Sequence, residues 1–206
     1  MSRVRLATTA DVAPLADALA EAFASDPVWR WLVPDDRRWA RRAGAVFAYE
    51  VEARLAQGHV YTSDDRAGAA LWTPPGRRRG GWRGWLAQVP AAPAAAALVG
   101  RDGSRRGLAL QAEMKRRHPR QDHWYLAMLG TRPADQGRGV GTAALAPVLA
   151  RADLDGVGAY LESSNPDNEA FYGRHGFETT GHLTAAGSPP LALMWRAPRP
   201  VDDEPS

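Results

Sequence analysis

The chain has no cysteine in 206 residues, which excludes disulfides, zinc–thiolate sites and a cysteine nucleophile. Lysine is almost as scarce: Lys115 is the only one among 26 basic residues. That arginine bias, with the abundant alanine, reads as the imprint of a GC-rich genome rather than a binding signal. Long apolar runs are missing as well. The longest uncharged run, Gly84 to Gly100, has 17 residues interrupted by Pro90 and Pro93, short of the ~20 a membrane-spanning helix needs. Asp11, Asp17 and Glu21 break any early apolar stretch, so no signal peptide is expected. A net charge of +3 is too small to call for nucleic acid. These absences predict a soluble, cytoplasmic protein with no membrane and no nucleic-acid partner. The length suits one domain, 1–196, followed by a Pro-rich, charged tail, 197–206, expected to be disordered.

What is present reads as alternating strands and helices. "VRLATTADVAPLADALAEAF" gives a strand over Arg3–Ala7 and then a helix, with Val12, Leu15, Leu19 and Phe23 at helical spacing and an end near Pro27. A second helix runs from Arg38 to Gln57 and stops at Gly58. His59–Ser63 and Ala67–Thr73 form a hairpin around Asp64-Asp65-Arg66. Gly76 to Gly107 is the least readable stretch, with short helices expected near Trp82–Val89 and Leu108–Arg117; its arginine clusters "GRRRGGWRGW" and "GRDGSRRG" read as solvated loops. From His123 the order is strand, helix, strand, short helix ended by Gly176, polar loop and final strand "LALMWRA". This is an α/β layer with a partly parallel sheet.

The strand "HWYLAMLGT" meets the next helix through "DQGRGVGT", Asp135 to Thr142. The first turn of a helix leaves N–H groups unpaired and carries partial positive charge, so it binds phosphate oxygens. Gly137, Gly139 and Gly141 let backbone approach without a side chain in between. No lysine stands near, which rules out a P-loop, and the third glycine comes one residue too early for a dinucleotide fingerprint.

Gln136-x-x-Gly139-x-Gly141 after Arg132-Pro133 resembles the acyl-CoA signature of the GCN5-related N-acetyltransferases (GNAT superfamily). A second cluster, "NPDNEAFYGRHGFE" from Asn165 to Glu178, is similar to the same family's Asn–Tyr–Gly-Phe motif. "AALWTPPG" and "WYLAMLGTRPADQGRGVGTAAL" further resemble puromycin N-acetyltransferase-like actinobacterial members. The resemblance implies a mixed sheet of six to seven strands flanked by helices, with parallel strands 4 and 5 splayed around acetyl-CoA. It implies that Leu129, Gly130 and Thr131 hold the pantetheine and thioester by backbone. Gln136, Gly137, Arg138, Gly139, Val140, Gly141 and Thr142 would surround the pyrophosphate, and Asn165 and Asn168 the pantetheine arm.

It further implies that Tyr172 protonates the leaving sulfur; a phenol of pKa ~10 lies close enough to a thiol of ~8.5 to share a proton. An attacking ammonium must first be deprotonated. Glu162, at a strand end facing the gap, is the first candidate base, acting through water, and His123 the second. Eight tryptophans are unusual for this length, and Phe23, Trp29, Trp72, Trp124 and Tyr125 are expected to wall the acceptor site. The expected reaction is acetyl transfer to a primary amine of a bulky, antibiotic-like or xenobiotic small molecule, by a monomer or homodimer. The alternatives are a protein or peptide N-terminal acetyltransferase, and a non-catalytic acyl-CoA-binding regulator.

Overall fold

A computed structural model describes residues 3–76 and 93–200. Among these residues the strands are β1 (Val4–Leu6), β2 (Val60–Ser63), β3 (Gly68–Thr73), β4 (His123–Thr131), β5 (Gly158–Ser163), β6 (Glu178–Leu183) and β7 (Leu191–Arg196). They form one sheet in the order β1-β2-β3-β4-β5-β7-β6. Only β4 and β5 run parallel; every other neighbouring pair is antiparallel. The helices are α1 (Val12–Ala22), α2 (Pro27–Leu32), α3 (Asp36–Leu55), α4 (Pro93–Arg117), α5 (Val140–Leu154) and α6 (Glu169–Arg174).

Strand periodicity distributes the core over both faces of the sheet. Leu71 of β3 points to α1 and α3, where Leu15, Leu19, Phe47 and Val51 are fully buried. Its neighbours Ala70 and Trp72 point the other way, to Leu145, Val148 and Leu149 of α5. β4 and β5 alternate likewise: Trp124, Leu126, Ala159 and Leu161 face α5, whereas Tyr125 and Tyr160 face a third cluster with Val28, Leu110 and Leu193. With both faces covered, β3 is buried along its whole length.

The splay of β4 from β5 has a local cause. Opposite β3, Leu71 pairs with Met128 and Trp72 with Leu126, so Ala127 is an extra residue, a β-bulge. The β4–β5 pairing ends at Leu126–Leu161, the same level. Beyond it β4 stays paired to β3 as far as Thr131, and no strand covers its other edge among the described residues. A bulge bends its strand, and here the bend opens a wedge between two parallel strands.

Three expectations need correction. Pro27 starts a helix instead of ending one: it sits at N1 of α2, where its missing N–H costs nothing, and Asp26 caps the turn. The "polar loop" before the last strand contains β6, an edge strand with largely exposed side chains, which therefore lacks an apolar alternation. "GRDGSRRG" is not a loop but part of α4, broken only at Gly100, where φ is 68°. Gly103 lets that helix lie against α2, since a Cβ there would meet the Leu32 carbonyl oxygen at 2.8 Å. Pro147 is accommodated within α5, on its exposed side, where water reaches the carbonyl it leaves unpaired. The helix expected over Trp82–Val89 and the end of the expected tail, 201–206, lie outside the described residues. No helix among those described is long and apolar enough to cross a membrane.

Candidate active site

The wedge opens into a cavity of about 540 Å³. Its wall collects residues that lie far apart in the sequence: Phe23 after α1, Leu129, Gly130 and Thr131 of β4, Gln136, Gly137, Gly139, Val140, Gly141 and Thr142 of the glycine loop, and Asn165, Asn168 and Tyr172. Arg138 stands outside the wall, more than half exposed and ion-paired to Asp135.

Backbone geometry makes this cavity suitable for acyl-CoA. Gly137 and Gly139 have φ of 76° and 82°, left-handed values that an L-side chain resists. Gly139 is the N-cap of α5 and no side chain caps the helix, so its first-turn N–H groups are available to an anion. Gly141 brings the helix within 3.2 Å of Phe171, measured from the Cβ it lacks. Gly130 fits the end of β4 against α1, where a Cβ would meet Leu19 Cδ2 at 2.8 Å. Gln136 Nε2 donates to the Thr131 carbonyl at 3.2 Å and ties the loop back to the strand end. The free edge of β4 supplies amide groups at strand spacing, as an extended pantetheine arm requires. Asn165 is committed locally: its Oδ1 accepts from Asp167 N at 3.0 Å.

Tyr172 lies on α6, 7% exposed, with edge contacts to Phe171 and Phe177. Burial, and secondarily the charge of Asp26, push its hydroxyl above the ordinary phenol range. It therefore holds its proton at neutral pH. Asp26 itself went unnoticed in the sequence. It lines the same cavity, and its Oδ1 caps α2 by accepting from Val28 N at 3.0 Å and Trp29 N at 2.9 Å. Ser164 Oγ donates to its Oδ2. Burial raises the Asp26 carboxyl pKa despite these bonds. An Asp-Pro pair at a helix start is a readable cap, but nothing local shows that it adjoins Tyr172.

Glu162 does not line this cavity. It is the first β5 residue past the last β4–β5 pair, and by alternation it shares Tyr160's face, away from α5. Its side chain is 2% exposed, and the polar groups that face it are the Tyr125 and Tyr160 hydroxyls and His118. The nearest cationic candidate is His118, with Nδ1 3.6 Å from Glu162 Oε1. Desolvation first, then the Glu162 charge, raise the Tyr125 and Tyr160 hydroxyls; both therefore remain neutral donors around it. Beyond them lies a second cavity of about 1470 Å³, lined by Tyr125, His118, His123, Glu113, the β3 end at Thr73–Gly76, and Thr184 and Ala185.

The five aromatics expected to wall one acceptor pocket are distributed over the whole sheet. Phe23 stacks on Phe47 at 5.5 Å beside the first cavity, and Trp29 packs on Trp39 and Phe47. Trp72 and Trp124 are buried under α5, and only Tyr125 reaches the second cavity. Alternation along β3 and β4 sends these rings to opposite faces, so they do not form one wall. His118 was missed altogether: it follows α4, and only tertiary packing brings it to β5.

The comparisons with known proteins agree with this geometry. Residues 108–177 match the model of the acetyltransferase (GNAT) family. An uncharacterised N-acetyltransferase of Schizosaccharomyces pombe is 28% identical over 91% of this chain and 80% of its own. A Corynebacterium glutamicum structure described as histone acetyltransferase HPA2 and related acetyltransferase is 27% identical, with a TM-score of 0.70 over 98% of this chain and 99% of its own. Arylalkylamine N-acetyltransferase 2 of Aedes aegypti shares the fold alone, at 12% identity and a TM-score of 0.64 over 96% and 99%. Fold, family match and relatives support a GNAT superfamily acetyltransferase, and the activity is acetyl-CoA-dependent N-acetyl transfer.

Proposed function

We propose that the chain acetylates a primary amine of a bulky small molecule, with Tyr172 and Glu162 working from opposite faces of the sheet at the β4–β5 split. The observation that carries this reading is Glu162, a buried carboxylate at the apex of the wedge, faced by the Tyr125 and Tyr160 hydroxyls and the His118 imidazole. Burying a carboxyl group costs free energy, and such a group persists where it has a task. Acetyl-CoA, when bound, supplies an acetyl group activated as a thioester. The residues of the cofactor cavity hold and orient it: the β4 edge at Leu129–Thr131, the N–H groups of Gly137–Thr142, and Asn168, with Asn165 fixing the turn that presents Asn168. Glu162 takes a proton from the acceptor ammonium, which has no lone pair until it does. Tyr172 keeps a proton at its Oη for the departing sulfur. The second cavity, beside Tyr125, has room for a drug-sized acceptor. The protein acts in the cytoplasm as a monomer or homodimer, 1–196 being the catalytic domain.

A second reading has its own support. The Corynebacterium relative is described as a histone acetyltransferase, which favours a protein acceptor. The test is thiol release from acetyl-CoA with a panel of puromycin, aminoglycosides, polyamines, arylalkylamines and peptides. Puromycin belongs in the panel because of the sequence resemblance given above. Turnover with small amines supports the first reading, and turnover with peptides alone supports the second. No turnover with any amine, alongside tight acetyl-CoA binding, leaves a non-catalytic acyl-CoA sensor.

A further inference from the structure

Charge is distributed unevenly along the second cavity. Glu162 is buried behind its inner end, and His118 reaches that carboxylate from the cavity wall, with Nδ1 3.6 Å from Oε1. The outer end is built by the last turn of α4 and the turn that follows it, and it carries Lys115, Arg116 and Arg120. All three residues are exposed, and Lys115 is the only lysine of the chain. Two acids share this rim. Glu113 is nearly buried and ion-paired with both Arg116 and Arg117, so its charge is already answered; the other is Asp122. With Arg117 beside them, the rim cations outnumber the acids and the outer end is net positive. Arg120 has no ion-pair partner among the described residues.

The two ends are close together. His118 stands three residues after Lys115 and two before Arg120, and two residues of chain span at most ~7 Å. One small molecule can therefore have one end near Glu162 and the other among the rim cations. Between them the wall includes Ala109, Ala112, Tyr125 and the Pro74-Pro75 pair after β3, uncharged surface that suits an apolar body. Charges set around a concave wall concentrate their field inside it, because protein screens them less than bulk water does. An ammonium is drawn to the carboxylate end and repelled from the rim. A guanidinium at the rim offers a planar fork of donors that matches the oxygens of a carboxylate or phosphate.

We propose that the acceptor is a primary amine bearing an acid group, carboxylate or phosphate, at the far end of an apolar body, and that Arg120 selects it. The proposal rests on the reading of the second cavity as the acceptor site given above. Arg116 is shared with Glu113, and Lys115 adds to the field; Arg120 is the rim cation left to bind the acid. By the same rule, polycationic amines are poor acceptors, since their second charge meets the positive rim.

Thiol release from acetyl-CoA tests this with amines of one shape that differ only at the far end. These are 4-(aminomethyl)benzoate, 4-(aminomethyl)phenylphosphonate, benzylamine and 4-(aminomethyl)benzylamine. Either acid should exceed benzylamine by about tenfold or more in kcat/KM, the scale of one charge-assisted hydrogen bond. The larger excess tells carboxylate from phosphate, and the diamine should rank last. Arg120→Ala should erase the excess and Arg120→Glu should put the diamine first, both with KM for acetyl-CoA unchanged. Benzylamine or the diamine matching both acids in the parent protein overturns the proposal, as does an acid preference that survives both substitutions. Calorimetric titration of 4-(aminomethyl)benzoate into the CoA-loaded protein separates the proposal from the acceptor reading beneath it. Binding that Arg120→Ala weakens, with no acetylation of any amine, keeps the acid site and removes the acceptor assignment. Acetylation of benzylamine with no measurable binding of either acid keeps the acceptor assignment and overturns the acid site.

Discussion

The two faces of the β4–β5 split are built by different means. The proposed cofactor face is made mainly of backbone: left-handed glycines, an uncapped helix start and a strand edge left open beyond the Ala127 bulge. The proposed acceptor face is made of side chains: His118 after α4 and Tyr125 and His123 of β4 line the second cavity, and Glu162 of β5 is buried behind them. Backbone sites tolerate side-chain change but not added Cβ atoms; side-chain sites show the reverse. The largest expected effect follows. Glu162→Gln should keep acetyl-CoA affinity and lower kcat by about 10²–10⁴, the usual range for a lost general base. Steady-state kinetics with isothermal titration of acetyl-CoA separates the two terms, and equal losses in both would mean that Glu162 supports the fold of the wedge instead.

Tyr172→Phe sits on the other face but should behave like an acceptor-side change, since only a hydroxyl is lost. We expect kcat to fall roughly ten- to a hundredfold with little effect on acetyl-CoA binding. Unchanged turnover would remove Tyr172 from the chemistry. Gly139→Val is the converse. A β-branched residue at φ of 82° costs roughly 1–2 kcal/mol, so acetyl-CoA affinity should fall about tenfold while the turnover of the saturated enzyme stays close to normal.

The same contrast governs what could be read from the sequence. The glycine loop, Asn168 and Tyr172 stand in two contiguous motifs, because backbone sites need particular residues at fixed spacing. β5 was legible too, since a parallel-sheet strand announces itself as an apolar run, but Glu162, expected to face the cofactor gap, points to the other side of the sheet. The company of Glu162 was not. His118 follows a helix that runs through a Gly- and Arg-rich stretch, and its approach to β5 depends on that helix packing Leu110 and Met114 against Tyr125 and Tyr160. The tryptophans misled for a related reason: aromatic content says that a residue packs, whereas strand parity decides on which face. β6 escaped notice because an edge strand paired on one side can stay polar.

Ligand linkage gives a smaller but general test of the cofactor face. Acetyl-CoA at ~100 times its Kd should add about 2.7 kcal/mol to the unfolding free energy, a rise of roughly 6–11 °C in Tm for a domain of this size. The rise should be halved or more in Gly139→Val at equal ligand concentration and intact in Glu162→Gln. If both variants lose it, the two faces are energetically one site.

The smallest effect concerns Asp26, which joins the faces: it caps α2, lines the cofactor cavity and influences Tyr172. Burial raises its folded-state pKa above the unfolded value of ~3.9. Below that value both states are protonated and the group contributes no difference. As pH rises through the window up to the folded pKa, the unfolded chain ionises first, and stability is lost until the folded carboxyl has ionised too. Asn at this position keeps the Oδ1 cap and can donate to Ser164 Oγ, but carries no charge to desolvate. Asp26→Asn should therefore match the parent Tm near pH 4 and exceed it by a few degrees, ~1 kcal/mol or less, at pH 7. It should also let Tyr172 titrate at lower pH, since one of the two causes of its raised pKa is gone. A Tm advantage that shrinks as pH rises would show the ionised carboxylate to be stabilised by the α2 N-terminus more than burial penalises it, and burial alone would then account for the proton on Tyr172.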